Sequence, residues 1–444
     1  MTNIKISDHF SYSRLLRFVY PTIVMMIVTS IYSIVDGFFV SNVAGKNAFA
    51  AVNLVMPVLM IIGSFGFMIG TGGSALVSKT LGQGKKKDAD RYFSMLIITV
   101  CIAGITVSSV AFIFMRKVSL LLGATDAMLE DCVIYGRTIC VGSVAFMLQN
   151  CFQSFLVTAE KPKLGLAVTV ASGLTNMVLD FVLVYLFDMG VFGAALATVI
   201  SQTVGAVIPL VYFTHNKNSL LRLYRVKPEK RPLARACSNG FSEMLTNISI
   251  SFISMLYNAR LLEIAQEDGI VAYGVIMYVN LIFLGFFFGD AVGTAPIVGY
   301  NYGARNTGEL KNMFRKSVFL TAITAIAMTA AGIALSKPLS IVFVGYDRQL
   351  MSMTARGMTL YSLSFLLCGF NIFASSFFTA LSNGLISAII SVLRMFVFQL
   401  AAVLILPELI GIDGIWLSVF CAEALTFIFT AVIFAANRKK YGYA

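Results

Sequence analysis

Two carboxylates, Asp36 and Asp180, fall inside stretches that are otherwise almost free of charge. Asn176 lies four residues before Asp180, so the two share one face if that stretch is helical. Thr198 adds a hydroxyl from the next apolar stretch. Two carboxylates, an amide and a hydroxyl offer hard oxygen ligands to a small cation. Alternatively, two acids buried against each other would take up and release a proton. The competing reading is a satisfied polar cluster that only fixes helix packing. Glu243, Asp290, Arg394 and Glu423 are further ionisable residues in apolar surroundings. Each is a functional candidate, because charge is costly inside a membrane. Glu423 and Arg394 fall near mid-depth on neighbouring stretches, where a structural ion pair is the simplest reading. A substrate-orienting role is the alternative.

The elements that must hold these groups are transmembrane helices. Of 444 residues, 58% are hydrophobic and only 12% charged, with a mean hydropathy of +0.85. A soluble surface cannot be built from so few charges, whereas a bilayer demands about 20 apolar residues per spanning helix. The pattern predicts an all-α polytopic fold of twelve spans near 15–40, 50–78, 92–115, 132–158, 164–187, 191–213, 236–262, 270–299, 317–336, 352–380, 385–407 and 413–436. Counted along these spans, Asp36, Asn176, Asp180 and Thr198 all reach the outer half of the first six helices. The polar first fourteen residues, followed by a long apolar stretch, do not read as a cleavable signal peptide.

Lysine and arginine test the map. Of 33 such residues, 24 fall on one side, with both termini and the central loop; six fall on the other, and Arg137, Arg356 and Arg394 lie in or at the ends of spans. This asymmetry puts both termini in the cytoplasm. It also accounts for the net charge of +12 without nucleic acid. The seven cysteines form no CxxC pair, and the two histidines have no partner motif. Neither a disulfide framework nor a metal centre is expected, beyond a Na⁺ at the Asp36–Asp180 cluster.

The chain repeats itself at a shift of 221 residues. Gly72 matches Gly293, Gly82 matches Gly303, Asn150 matches Asn371, and Gly190 matches Gly411. A register held over more than a hundred residues is a strong sign of duplication. Six spans per half is an even number, so a parallel pseudo-two-fold along the membrane normal should relate the halves. The division is 1–215 for the N-lobe, 216–235 for a polar linker with Pro228 and Pro232, and 236–444 for the C-lobe.

Several features together resemble the multidrug and toxic compound extrusion (MATE) family. The first span runs from Pro21 to Asp36-Gly37; the second ends in GTGGSALVSKTLGQGKKKDA (70–89), answered by GTAPIVGYNYGARN (293–306); Asn176 and Asp180 precede GVFGAALAT (190–198). The resemblance covers essentially the whole chain. It implies a secondary antiporter that exports bulky, often cationic compounds in exchange for Na⁺ or H⁺, without other cofactors. It points to Asp36, Asn176, Asp180 and Thr198 as the N-lobe cation site of some members. It suggests that Pro21 marks a hinge whose bending accompanies protonation in some members; a static kink is the other reading. Glu243 resembles an acid near the start of helix 7 that contributes to coupling in part of the family. Glu243 and Asp290 are therefore candidates for C-lobe coupling or substrate contact. The acid that some members carry in helix 10 is missing here, which weakens a C-lobe site.

The run GQGKKK is not a P-loop, since no Ser or Thr follows in register, and no HExxH or GxSxG is present. Nothing points to an enzyme. The rival within the wider superfamily is a flippase for lipid-linked oligosaccharide or lipid, but its cavity is usually more cationic. The expected setting is a multi-pass monomer in the plasma (inner) membrane, in contact with lipid and a small-molecule substrate.

Overall fold

The structure, a computed structural model, describes residues 4–40, 46–216, 218–227 and 229–443. Lys217 and Pro228 of the linker lie outside them. The described residues are helical almost throughout and contain no strand. The N-lobe comprises α1 (Tyr12–Phe39), α2 (Lys46–Gly82), α3 (Lys86–Leu121), α4 (Asp126–Thr158), α5 (Pro162–Leu186) and α6 (Gly190–His215). The C-lobe comprises α7 (Lys230–Gly303), α8 (Thr307–Val344), α9 (Arg348–Ser362), α10 (Phe365–Ala380), α11 (Gly384–Ile410) and α12 (Ile412–Tyr441).

Two of these elements need physical reading. At 74 residues, α7 would extend roughly 110 Å if straight, more than three times the thickness of a hydrocarbon core. Gln266, at φ +53° and ψ −143°, breaks it into two arms, between the seventh and eighth expected spans. The tenth span, expected to be continuous, is instead two helices: α9 and α10 meet at a bend of 46°. Tight bonds from Leu363 N–H to Leu360 O and from Ser364 N–H to Tyr361 O turn the chain there. Counting each arm of α7 and the bent pair once gives twelve crossings of a multi-pass membrane protein.

The linker is shorter than expected. Helix α7 begins at Lys230, so Pro232 lies inside it. Proline is tolerated in a first turn, because the N–H it lacks would have had no helical partner.

The duplication is visible in packing. Phe93 lies against Phe155 and Phe213, each with centroids 4.8 Å apart; Phe314 lies likewise against Phe377 at 5.4 Å and Phe434 at 5.1 Å. Turns repeat as well: Gly84 and Arg305 both have positive φ, as do Gly190 and Gly411. The register is not uniform, however. The positive-φ residues that end α4 and α10, Glu160 and Ser382, are one residue further apart than the 221 of the sequence repeat.

The lobes meet most closely through glycine. A Cβ on Gly82 would strike the carbonyl of Tyr300, and a Cβ on Gly303 would strike that of Lys79. The two contacts exchange under the repeat, as an interface on a pseudo-two-fold must. This end also gathers the N-terminal segment, the linker and the loops rich in lysine and arginine. Ile6 N–H donates to Glu160 Oε1 at 2.8 Å, Phe10 N–H donates to Glu309 Oε1 at 3.0 Å, and Arg222 N–H donates to Asp90 Oδ1 at 3.0 Å.

Candidate functional site

The N-lobe brings Asp36, Asn176, Asp180 and Thr198 together from three helices. Asn176 (2% exposed) and Asp180 (0%) are buried on one face of α5, as four-residue spacing requires. Asp180 is the last residue before the helix widens into π-type turns over Phe181–Leu186. Such turns recur at functional sites, because they re-aim side chains. The Asp36 carboxylate, from α1, is approached by Asp180, Asn176 and Thr198.

Asp36 Oδ1, Asn176 Oδ1, both carboxylate oxygens of Asp180 and Thr198 Oγ1 are buried without a partner. Buried polar atoms are nearly always bonded, so five in one cluster need an explanation. All five are oxygens, and among the described residues neither acid has an ion pair with a basic side chain. Such a site is satisfied by something that supplies positive charge: a proton shared by the acids, or a small cation with oxygen ligands.

Two residues that sequence reasoning passed over border this cluster. Tyr32 and Tyr135 lie close enough to feel the carboxylate charge, and the Tyr32 ring packs on Gly173 of α5. Tyr32 is four residues before Asp36, a spacing that places both on one face of α1. No sequence signal marked Tyr135, which arrives from α4 through tertiary packing.

The C-lobe is arranged differently. Arg394 sits in π-type turns over Leu393–Gln399. It holds Glu423 through Nη2 at 2.6 Å and Nε at 2.7 Å. Asn371 Nδ2 donates to the other Glu423 oxygen at 2.7 Å. The pair is largely sealed, at 11% and 4% side-chain exposure.

A cavity opens beside this pair, lined by Arg394, Glu243, Thr246, Ser375 and Ser391, with Thr71 and Ser154 entering from the N-lobe. Its volume of about 50 Å³ exceeds what one water needs. Glu243 is thus placed with Arg394. Asp290 is not among the lining residues, although Phe288, Ala291 and Val292 are. The two acids therefore do not share this lining.

Pro21 lies within α1, where that helix meets the second arm of α7. A Cβ on Gly289 would strike Ile23, and one on Gly293 would touch Val19. Any bend at Pro21 would disturb this seam between the lobes.

Known proteins share this construction. The MatE family profile matches residues 21–182 and 243–405, one stretch in each half. The multidrug export protein MepA of Staphylococcus aureus (strain MRSA252) is 24% identical over 420 residues, covering 93% of this chain and 91% of MepA. Among solved structures, an outward-facing multidrug resistance MATE family transporter of the MOP superfamily aligns with a TM-score of 0.92 at 20% identity, over 99% of both chains. A MATE crystal structure in complex with MaL6 aligns at 0.91 with 21% identity, over 97% of this chain and 98% of that one. At such identities the structural likeness speaks for the fold, while the profile covers most of the sequence. The chain belongs to the MatE family, whose members are transporters and not enzymes.

Proposed function

We propose that this protein is a secondary active antiporter that exports bulky, cationic small molecules and takes up Na⁺ or H⁺ in exchange at Asp36, Asn176, Asp180 and Thr198. The observation that carries the reading is the cluster of five buried oxygens without a donor. Empty, such a site leaves two carboxylates facing each other; filled by a cation, it favours a different arrangement of α1 and α5. That difference in affinity is what couples an ion to a shape change. Pro21 would be where α1 yields. Glu243, beside Arg394 in the C-lobe cavity, is the acid best placed to meet a cationic substrate. We place both termini and the basic loops on the cytoplasmic side of the plasma membrane, following the lysine and arginine bias, and take the functional unit to be a monomer.

The test is efflux of a cationic dye from proteoliposomes, with Na⁺ and pH gradients imposed separately. One gradient should drive transport in the wild type. Asp36→Asn and Asp180→Asn should each remove that dependence while the protein remains folded in the membrane. Full gradient-driven transport by both variants would exclude the cluster from coupling.

A further inference from the structure

The basic end of the molecule holds a second hollow, with a volume of about 680 Å³, within the range of small-molecule sites. It lies where the end of α2, the start of α3, the first turns of α7 and the turn before α11 converge. Three cations line it: Lys79 and Lys85 from the N-lobe and Arg235 from the C-lobe; Asp88 is the one acid in its lining. Gln83, Tyr92 and Ser238 supply further polar groups. Among the described residues, none of the three cations has a carboxylate within ion-pairing distance, whereas Arg91 nearby is paired with Glu229. Lys79 and Arg235 repel each other across the lobe boundary. Like charges converging in a concavity raise the local potential and attract an anion.

The repeat supplies an internal control. The 221-residue register carries Lys79, Lys85, Asp88 and Arg235 to Tyr300, Asn306, Glu309 and Arg14. That corresponding place is filled by the chain itself. His9 Nδ1 meets Glu309 Oε2 at 2.6 Å, Phe10 is fully buried, and Asn312 Nδ2 donates to Phe10 O at 2.9 Å. On the α2 side the residues corresponding to His9 and Phe10 are Lys230 and Arg231, which are wound into α7. One hollow is closed by the chain and an acid; the other is open and cationic.

We propose that this open hollow is a binding site for a phosphate group, held jointly by Lys79, Lys85 and Arg235. A dianion there would bridge the two lobes at the end where they are already closed. The same chemistry is offered by the headgroup of an anionic phospholipid or by a soluble phosphate. Bound phosphate would stabilise the arrangement in which Lys79 and Arg235 face each other, and by linkage that arrangement would bind phosphate more tightly. This stands apart from the antiport reading, since none of these residues belongs to the Asp36–Asp180 cluster.

The experiment compares wild type with Lys79→Gln/Lys85→Gln/Arg235→Gln in thermal unfolding, with two arms. In the first, inorganic phosphate is titrated against chloride at equal ionic strength. In the second, nanodiscs of phosphatidylcholine are compared with nanodiscs containing phosphatidylglycerol. The expected result is stabilisation of the wild type in at least one arm, with apparent affinity weakened roughly tenfold or more in the variant. A response in the lipid arm alone assigns a headgroup; a response in the phosphate arm alone assigns a soluble ligand. The single variants Lys85→Gln and Arg235→Gln, at exposed positions, keep the test open if the triple variant fails to fold. Equal responses of wild type and variants in both arms would overturn the proposal.

Discussion

The two lobes descend from one repeat but treat buried charge in opposite ways. In the N-lobe, Asp36 and Asp180 lie together with buried oxygens that lack a partner, and among the described residues neither forms an ion pair. In the C-lobe, Glu423 is closed by Arg394 and Asn371. The repeat carries the N-lobe cluster onto Tyr257, Val397, Ala401 and Val419. Where the register runs one residue longer, Phe398 and Ala402 take the middle two places. Those positions offer no carboxylate, and the Tyr257 hydroxyl is spent on Ser418. One lobe thus buries acids without a basic partner among the described residues, while the other carries a guanidinium built into its own sequence. Both set the charged residue at or within π-type turns, so the shared scaffold serves two different electrostatic ends.

The largest effect expected from breaking this contrast is on transport. Asp180→Asn should reduce gradient-driven efflux to the level of empty vesicles, while Glu423→Gln paired with Arg394→Gln should leave much of it intact. Export assays on both, at matched protein density, would show whether the lobes divide labour in this way.

Stability should show the reverse pattern. Arg394→Ala strands a buried carboxylate and should cost about 3–5 kcal/mol, read as a fall in Tm. Replacing both partners, Arg394→Met with Glu423→Leu, should recover most of that loss, because no lone charge remains. Asp180→Asn should not destabilise in this way, since it removes a charge that has no internal partner.

A smaller effect compares the two glycine seams. A Cβ on Gly72 would strike the backbone of Ala236 and Gly240, whereas the nearest atoms to one on Gly293 belong to the Val19 side chain, at 2.9–3.2 Å. Backbone cannot move aside as a side chain can. Gly72→Ala should therefore cost about 1–3 kcal/mol in the closed arrangement, and Gly293→Ala clearly less. Cysteine labelling at the basic end would report the difference as increased accessibility in the first variant.

The smallest effect concerns the segment that docks on the α4–α5 turn. Burial pushes the Glu160 carboxyl above its usual range, although the Ile6 N–H opposes this. A raised folded value means the protonated form fits better, so Glu160 weakens the fold as pH rises through it. Glu160→Gln keeps an acceptor for Ile6 and should raise Tm slightly at neutral pH. The gain should vanish near pH 4, where glutamate is protonated in the unfolded chain as well. A gain independent of pH would point to packing instead.

Much of this architecture was readable in the residues. Length, hydropathy and the lysine and arginine bias depend only on composition along the chain, and they marked out the spans. The gap left between spans seven and eight coincides with the break at Gln266. The repeat gave the two-lobed organisation, and the four-residue spacing of Asn176 and Asp180 gave one face of the candidate site. Other features were out of reach. The bend between α9 and α10 falls in a charge-free run with no proline or glycine at Leu363–Ser364. Helix α7 starts at Lys230, ahead of the span expected from 236, because a proline such as Pro232 is tolerated in a first turn.

The sequence by itself determined which stretches enter the bilayer, that there are two related halves, and which few charges must be buried. These follow from local composition and periodicity, which the solvent reads directly. Only the tertiary structure decided which buried charges meet which. Arg394 reaches Glu423 across helices, Tyr135 joins Asp36 and Asp180 from a fourth, and Lys79 faces Arg235 over the lobe boundary. Pairings of this kind depend on how helices rotate and cross, and that is set by many weak packing contacts at once, which no single stretch of residues contains.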